Sequence, residues 1–299
     1  MKAIAHRVSP LRLWLALGTV YVVWGSTYLA IRFTVETIPP FLSAAARFVI
    51  AGTFLTSWRR LAGDAKPTAL QWRNAAIVGI FLLVCGNGGV VWAAQFIPSS
   101  LSALLVATVP LWMILIDALR PHGEPPGLRA VLGIMLGFCG AALLVGSTTQ
   151  ASHGASFYGA AAVLAASLFW AIGSIYGKVA VLPESPLLTT GIEMIAGGLM
   201  QLLVASWLGE FGSFDIVLIS QRSALAWLYL TAVGTAAFIA YAWLLRAAPI
   251  PLVATYSYVN PVVAIGLGYF LGREAITPRV LLGAGLIIGS VVLVSRRKR

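Results

Sequence analysis

WGSTYLAIRFTVETIPPFLSAAARFVIAG, from Trp24 to Gly52, is spelled a second time as WAIGSIYGKVAVLPESPLLTTGIEMIAGG, from Trp170 to Gly198. Trp24, Arg32, Pro40, Leu42, Arg47 and Gly52 fall on Trp170, Lys178, Pro186, Leu188, Glu193 and Gly198 at one ungapped offset of 146 residues. Farther along, Trp92, Pro98, Leu101, Ala103 and Pro110 fall on Trp243, Pro249, Leu252, Ala254 and Pro261 at an offset of 151. The chain reads as a tandem duplication, residues 1–150 forming one copy and 151–299 the other, with function expected at the seam between them.

Composition sets the medium. Hydrophobic residues make up 60% of the chain and charged ones 10%, with a mean hydropathy of +0.92, whereas about a quarter of a soluble domain is charged. Runs of roughly twenty apolar residues suffice to cross a hydrocarbon core of about 30 Å as helices, and the alternation that barrel strands need is missing. The predicted spans of the first copy are 13–31, 41–58, 74–94, 99–119 and 128–146; those of the second are 157–181, 187–208, 223–245, 251–271 and 279–294. The fold class is therefore all-α, a polytopic membrane protein of ten transmembrane helices. Residues 13–31 carry no small-residue cleavage site and are too long for a signal-peptide core, so they read as a retained first span.

The net charge of +11 would suggest nucleic acid in a soluble protein, but its placement follows the membrane instead. With the N-terminus inside, the cytoplasmic segments hold Lys2, Arg7, Arg12, Arg59, Arg60, Lys66, Arg73, Arg120, Arg129, Lys178, Arg246, Arg296, Arg297, Lys298 and Arg299, against only Arg32, Arg222, Arg273 and Arg279 outside. That bias predicts both termini in the cytoplasm. Five spans per copy is an odd number, so the copies must insert in opposite orientations, forming two inverted five-helix repeats. Cys85 and Cys139 lie within apolar runs and read as small core residues. No metal site or cofactor is implied, and His6, His122 and His153 lie outside the spans, where no buried histidine chemistry is expected.

Trp24-Gly25-Ser26-Thr27-Tyr28 with Arg32, Gly86-Asn87-Gly88, Val106-Ala107-Thr108-Val109-Pro110 and Tyr256-Ser257-Tyr258-Val259-Asn260-Pro261 together resemble the EamA branch of the drug/metabolite transporter superfamily. The likeness covers nearly the whole chain. It implies a multi-pass exporter of the bacterial inner membrane, with a central cavity walled by helices one, three, four, six, eight and nine. Relatives are assigned amino acids, nucleotide sugars, drugs and other small metabolites, so the resemblance leaves the substrate open.

Arg47 and Glu193 are the ionisable residues set deepest in spans. A charge at a helix centre costs about 2.5–3.5 kcal/mol on insertion scales, so each should face protein or water. Each lies about 9 Å into its helix at 1.5 Å per residue, and the two helices start on opposite faces, which predicts no direct bridge between them. For Arg47 the readings are a snorkelling or carbonyl-capping side chain and an anion-attracting group on the substrate path. For Glu193 they are a structural pair with Lys178 and a proton-coupling carboxylate. Asp117 reads as an interfacial charge.

Trp14, Trp58, Trp72 and Trp207 suit the interfacial aromatic belt. Trp24 and Trp170 sit midway along their helices, where a belt does not apply, and are expected to line the cavity, with Trp92, Tyr241, Trp243, Tyr256 and Tyr258 as further aromatic candidates. Asn87 and Asn260 are buried amides that either mend their own helices or bind a polar end of the substrate. Pro110 and Pro261 are matched mid-helix prolines, expected to kink helices four and nine and to serve as gate hinges. Gly133 with Gly137 and Gly285 with Gly289 predict that the last helices of the two copies pack closely together.

The leading function is export of small organic solutes by alternating access, with protons as the candidate coupling ion. No nucleotide-binding loop is present, so direct ATP energisation is not supported. A membrane enzyme would need clustered catalytic groups, and the nine acidic residues are scattered. An uncoupled facilitator or channel is the other alternative. The expected partners are a small-molecule substrate and the lipid bilayer, not nucleic acid; a monomer is expected, with a homodimer left open.

Overall fold

The computed structural model describes residues 9–119, 127–148, 155–248, 250–253 and 255–295. Outside these lie the turn expected at 121–126 and the basic residues Lys2, Arg7, Arg120, Arg296, Arg297, Lys298 and Arg299, together with the side chain of Arg246.

All regular structure among the described residues is helical. In order come α1 (Pro10–Thr34), α2 (Pro40–Leu61), α3 (Ala69–Gly79), a π-helical segment (Ile80–Asn87), α4 (Gly88–Ala93), α5 (Ser99–Val106), α6 (Val109–Leu119) and α7 (Leu128–Thr148). They are followed by α8 (Ala155–Val179), α9 (Pro186–Trp207), the short α10 (Glu210–Ser213), α11 (Gln221–Ala247), α12 (Ile250–Val253), α13 (Tyr256–Phe270) and α14 (Pro278–Ser295). Eight helical stretches among the described residues are long and apolar enough to span a bilayer, one of them, Ser99–Leu119, broken at Ala107–Thr108, and a shorter apolar helix lies at Pro278–Val294. The expected ninth span differs: it is divided into α12 and α13, and α13 has only 15 residues.

Local chemistry fixes the ends. Prolines open α1, α2 and α9, where a missing N–H costs nothing and a φ near −65° suits the first turn. Thr68 and Gln71 form a reciprocal capping box on α3, which therefore starts at Ala69, earlier than the hydropathy run suggests. After α2 and α9 the chain turns through Gly63 (φ 96°) and Gly209 (φ 74°), a left-handed conformation that favours glycine. These glycines are themselves 146 residues apart, and each is followed by an acid, Asp64 and Glu210.

Two glycine-lined crossings bind the halves. α2 packs on α9; a Cβ on Gly52 would lie 2.7 Å from the Gly191 carbonyl oxygen, and one on Gly198 would lie 2.9 Å from the Val49 nitrogen. α7 packs on α14, as the small-residue pairs predict, but with a correction. A Cβ on Gly137 would lie 2.6 Å from Ser290 Oγ and one on Gly140 2.9 Å from Leu286 Cβ, while a Cβ on Gly285 or Gly289 would meet nothing within 4 Å. The α14 side of the contact is formed by Gly283, Leu286, Ser290 and Val294, one helical face round from the expected pair. Around these crossings α1 packs on α11 and α13, while α8 packs on the π segment, α4, α5 and α6.

Side chains that join the connections sort them onto two faces. One carries Glu210, Glu274, Ser99 and Arg222; the other carries Asp64, Asn74, Val181 and Ser185. They are called below the Glu274 face and the Asp64 face.

Candidate functional site: a central cavity and two capped faces

A cavity of about 130 Å³ lies between α1, α2, the π segment, α5, α8, α11 and α13, room for several waters. Of the expected site residues, Trp24, Trp170, Arg47, Asn87, Tyr256, Asn260 and Pro261 meet in its wall. The helices are locally built to admit them. Gly86 lets Trp170 lie 3.0 Å from the position a Cβ would take, and the π segment ending at Asn87 turns that amide inward. A π-helical insertion is a frequent device at functional sites.

Arg47 is 7% exposed. Its Nη2 donates to Asn87 Oδ1 at 2.9 Å, and its guanidinium lies 4.3 Å from the Phe48 ring centre. Nε is buried without a partner. No carboxylate, Glu193 included, pairs with Arg47 among the described residues. Arg47 also lines a small gap with Thr34, Ser43 and Trp227, so it stands at the end of the cavity nearer the Glu274 face.

The opposite end is stopped by aromatic rings. Trp24 lies 4.8 Å from Tyr241, 5.1 Å from Tyr256 and 5.3 Å from Phe238. Edge and tilted contacts of this kind add about 0.5–1.5 kcal/mol per pair beyond area burial. Tyr241 thus stands behind the cavity wall as a support. Beyond it an apolar groove between α1, α9 and α11 is lined by Arg12, Thr19, Leu187 and Trp243, which places Trp243 outside the cavity. Trp92 packs its ring at a tilt against Phe96, 4.8 Å between centres, and Tyr258 points its hydroxyl toward the Val291 carbonyl on α14 at 3.5 Å; neither lines the cavity.

Glu193 does not line the cavity either; its neighbour Met194 does. Its backbone packs against Gly79 of α3. The pair with Lys178 is not formed among the described residues, Lys178 being exposed. Asn260, with its amide nitrogen turned toward acceptors, donates to the carbonyls of Tyr256 at 3.1 Å and Tyr21 at 3.2 Å, so it ties α13 to α1; the carbonyl that Pro261 frees is that of Ser257, four residues upstream. Pro110 lies outside the cavity, but its effect is visible: the helix breaks at Ala107–Thr108, one turn upstream, where its ring would meet the carbonyl of Val106.

Three carboxylates at the faces were not singled out by the sequence. Glu274 is buried and accepts from Ser99 N (2.7 Å), Ser99 Oγ (2.8 Å), Ser100 N (3.0 Å) and Ser100 Oγ (2.6 Å), with Arg32 Nη1 at 2.8 Å. Burial pushes its carboxyl up, but the hydrogen bonds from Ser100 and Ser99 outweigh this and hold it below the ordinary carboxylate range. It caps the N-terminus of α5, where free N–H groups and the helix dipole favour an anion. Glu210 caps α2 through Phe41 N (3.2 Å) and Leu42 N (2.7 Å). Asp64 bonds Arg59 and the Ser185 side chain at the start of α9, which together hold its carboxyl down at about 2. Glu210 and Asp64 thus each reach from one copy to the matching helix of the other. The signal was available: the 146-residue offset places Asp64 on Glu210.

The EamA-like transporter family model matches residues 12–146 and again residues 157–296. The chain is 37% identical over 285 residues to "Uncharacterized inner membrane transporter YedA" of Escherichia coli K12, covering 95% of this chain and 90% of that protein. It is 27% identical to Protein PagO of Salmonella typhimurium, over 90% of this chain and 88% of PagO. A WAT1-related chloroplastic protein of Arabidopsis thaliana is 25% identical over 94% of this chain and 69% of its own length. A solved crystal structure shares the fold with a TM-score of 0.61 at 20% identity, covering 96% of this chain and 98% of that one. With two matches that together span almost its whole length, the chain belongs to the EamA-like transporter family.

Proposed function

We propose that this protein is a secondary transporter of the bacterial inner membrane that exports small organic metabolites, amino acids, their analogues or amphipathic drugs among them, by alternating access. The observation that carries the reading is a central cavity at the seam of the two copies, walled by the matched residues Trp24 and Trp170. The packing supports two inverted five-helix repeats, 1–150 and 151–299, because α1 meets α11 and α13 while α8 meets the π segment, α5 and α6: the first helix of each copy contacts the third and fourth of the other. The basic-residue bias supports a cytoplasmic Asp64 face and cytoplasmic termini. The Arg32–Glu274–Ser99–Ser100 cluster then closes the outer side, and the breaks upstream of Pro110 and Pro261 supply the hinges.

Glu193 is the candidate for proton coupling. Its position outside the cavity wall favours a second reading, an uncoupled facilitator. Efflux of labelled amino acids and amphipathic amines from preloaded cells, with and without a protonophore, tests both. Efflux that collapses with the gradient and loses its pH dependence in Glu193→Gln supports coupling; efflux indifferent to both supports the facilitator.

A further inference from the structure

The cavity wall has an unbalanced charge. Arg47 is the sole residue charged at neutral pH among those that line it, and a guanidinium is cationic at any physiological pH. It is 7% exposed. Asn87 Oδ1 takes its only hydrogen bond among the described residues, and Nε is buried with no acceptor. Asn87 supplies an acceptor without charge, so it orients the guanidinium and leaves its cation uncompensated. Buried charges are normally paired. Here the cation stands at one end of a cavity whose other end is closed by Trp24, Tyr256 and Phe238.

We infer that the cavity selects organic monocarboxylates with a flat apolar body, the carboxylate taken by Arg47 and the body lying between Trp24 and Trp170. This deepens the transporter reading and rests on it. The charge count makes the choice. One carboxylate neutralises the site and offers the planar acceptor pair that matches a guanidinium fork. A phosphate dianion would leave an unpaired negative charge in a low-dielectric space, a cationic amine would add a second positive one, and a zwitterionic amino acid would leave the net charge of Arg47 in place while requiring an acceptor for its ammonium. Rings on the wall suit a flat apolar body by area and by edge contacts.

The test uses the full-length purified protein in nanodiscs and three solutes that share one phenyl body: hydrocinnamate, phenylalanine and phenethylamine, each measured by equilibrium binding of the labelled compound. Hydrocinnamate should bind tightest. Arg47→Gln should weaken it by at least about tenfold, the effect of losing one hydrogen bond to a charged group, and should bring the three solutes together. Because Arg47→Gln removes a buried side chain and can impair folding, Asn87→Asp provides a second variant. It keeps Arg47 and places a carboxylate beside it, and should abolish the preference for hydrocinnamate in a protein that still melts cooperatively. Equal or tighter binding of phenylalanine or phenethylamine, binding of none of the three, or indifference of hydrocinnamate to both variants would overturn the inference. Flux of any probe through proteoliposomes with Arg47 indifferent would remove this site and keep the transporter; tight hydrocinnamate binding without flux would do the reverse.

Discussion

Replacing Glu274 with glutamine should release the face it caps. The carboxylate accepts five donors, three on Oε1 (Ser99 N, Ser99 Oγ, Arg32 Nη1) and two on Oε2 (Ser100 N, Ser100 Oγ). Glutamine keeps one acceptor oxygen and turns the other into a donor, so Ser100 N–H loses its acceptor, at about 1–3 kcal/mol for a buried unpaired group. Arg32 also loses its counter-charge; its side chain is 35% exposed, so solvent screening limits that loss to about 1 kcal/mol. The sum, about 3 kcal/mol, shifts a two-state equilibrium roughly a hundredfold. With Cys85 and Cys139 replaced and one cysteine introduced at Thr27 in the cavity wall, labelling by an impermeant maleimide applied from the Glu274 face should accelerate by up to that factor. An unchanged labelling rate with a lowered melting temperature would show that the cluster is only structural, and would refute its role as a gate. The same cluster sets a pH dependence. Its folded carboxyl lies below the ordinary 4.5, so its stabilisation is complete above that value and is lost as pH falls through the folded one. Divided by the labelling rate of an exposed single-cysteine control, which removes the pH dependence of the thiolate itself, labelling of the Glu274 parent protein should be flat above the ordinary carboxylate range and rise as pH falls below it.

The glycine contacts separate two classes of substitution. Gly137→Leu should prevent α7 from seating on Ser290 and yield little folded protein, whereas Gly285→Leu, whose Cβ would meet nothing within 4 Å, should express and melt like the parent; size-exclusion profiles in detergent report both. Gly52→Val should fail in the same way as Gly137→Leu, because the obstructing atoms are backbone. Trp170→Ala should leave the melting temperature within about 3 °C, a shift of about 1 kcal/mol, and reduce transport at least about tenfold. A loss of folding with normal flux per folded molecule would make Trp170 a packing residue.

Much of this was legible because the duplication is a statement about sequence that needs no geometry. Offset pairs located Trp24 with Trp170, and mid-span depth separated them from the belt residues Trp14 and Trp207. Arg47 and Asn87 were visible singly, but their contact across two helices is a product of the π segment, whose local sequence Ile80–Asn87 carries no mark beyond Gly86. Tyr258 and Trp92 were misplaced for a rotational reason: hydropathy gives the length of a uniformly apolar helix and not which side faces the cavity. The same ambiguity displaced the α14 contact from Gly285 and Gly289 to Ser290. Glu274 and Glu210 were passed over because acids beyond the ends of spans read as solvated loop charges, and only the fold shows them capping helices of the other copy.

Alternating access through one cavity is tested most directly by counterflow. Proteoliposomes holding the purified protein, preloaded with unlabelled hydrocinnamate, phenylalanine or phenethylamine, are diluted into a trace of the same labelled compound. The account predicts transient, saturable accumulation of label for at least one of them, abolished without internal solute, because a site exposed to one side at a time exchanges inner for outer substrate. Label that enters in linear proportion to concentration and ignores internal solute would mark an open pore, and label that never enters under any loading would contradict transport of these solutes altogether.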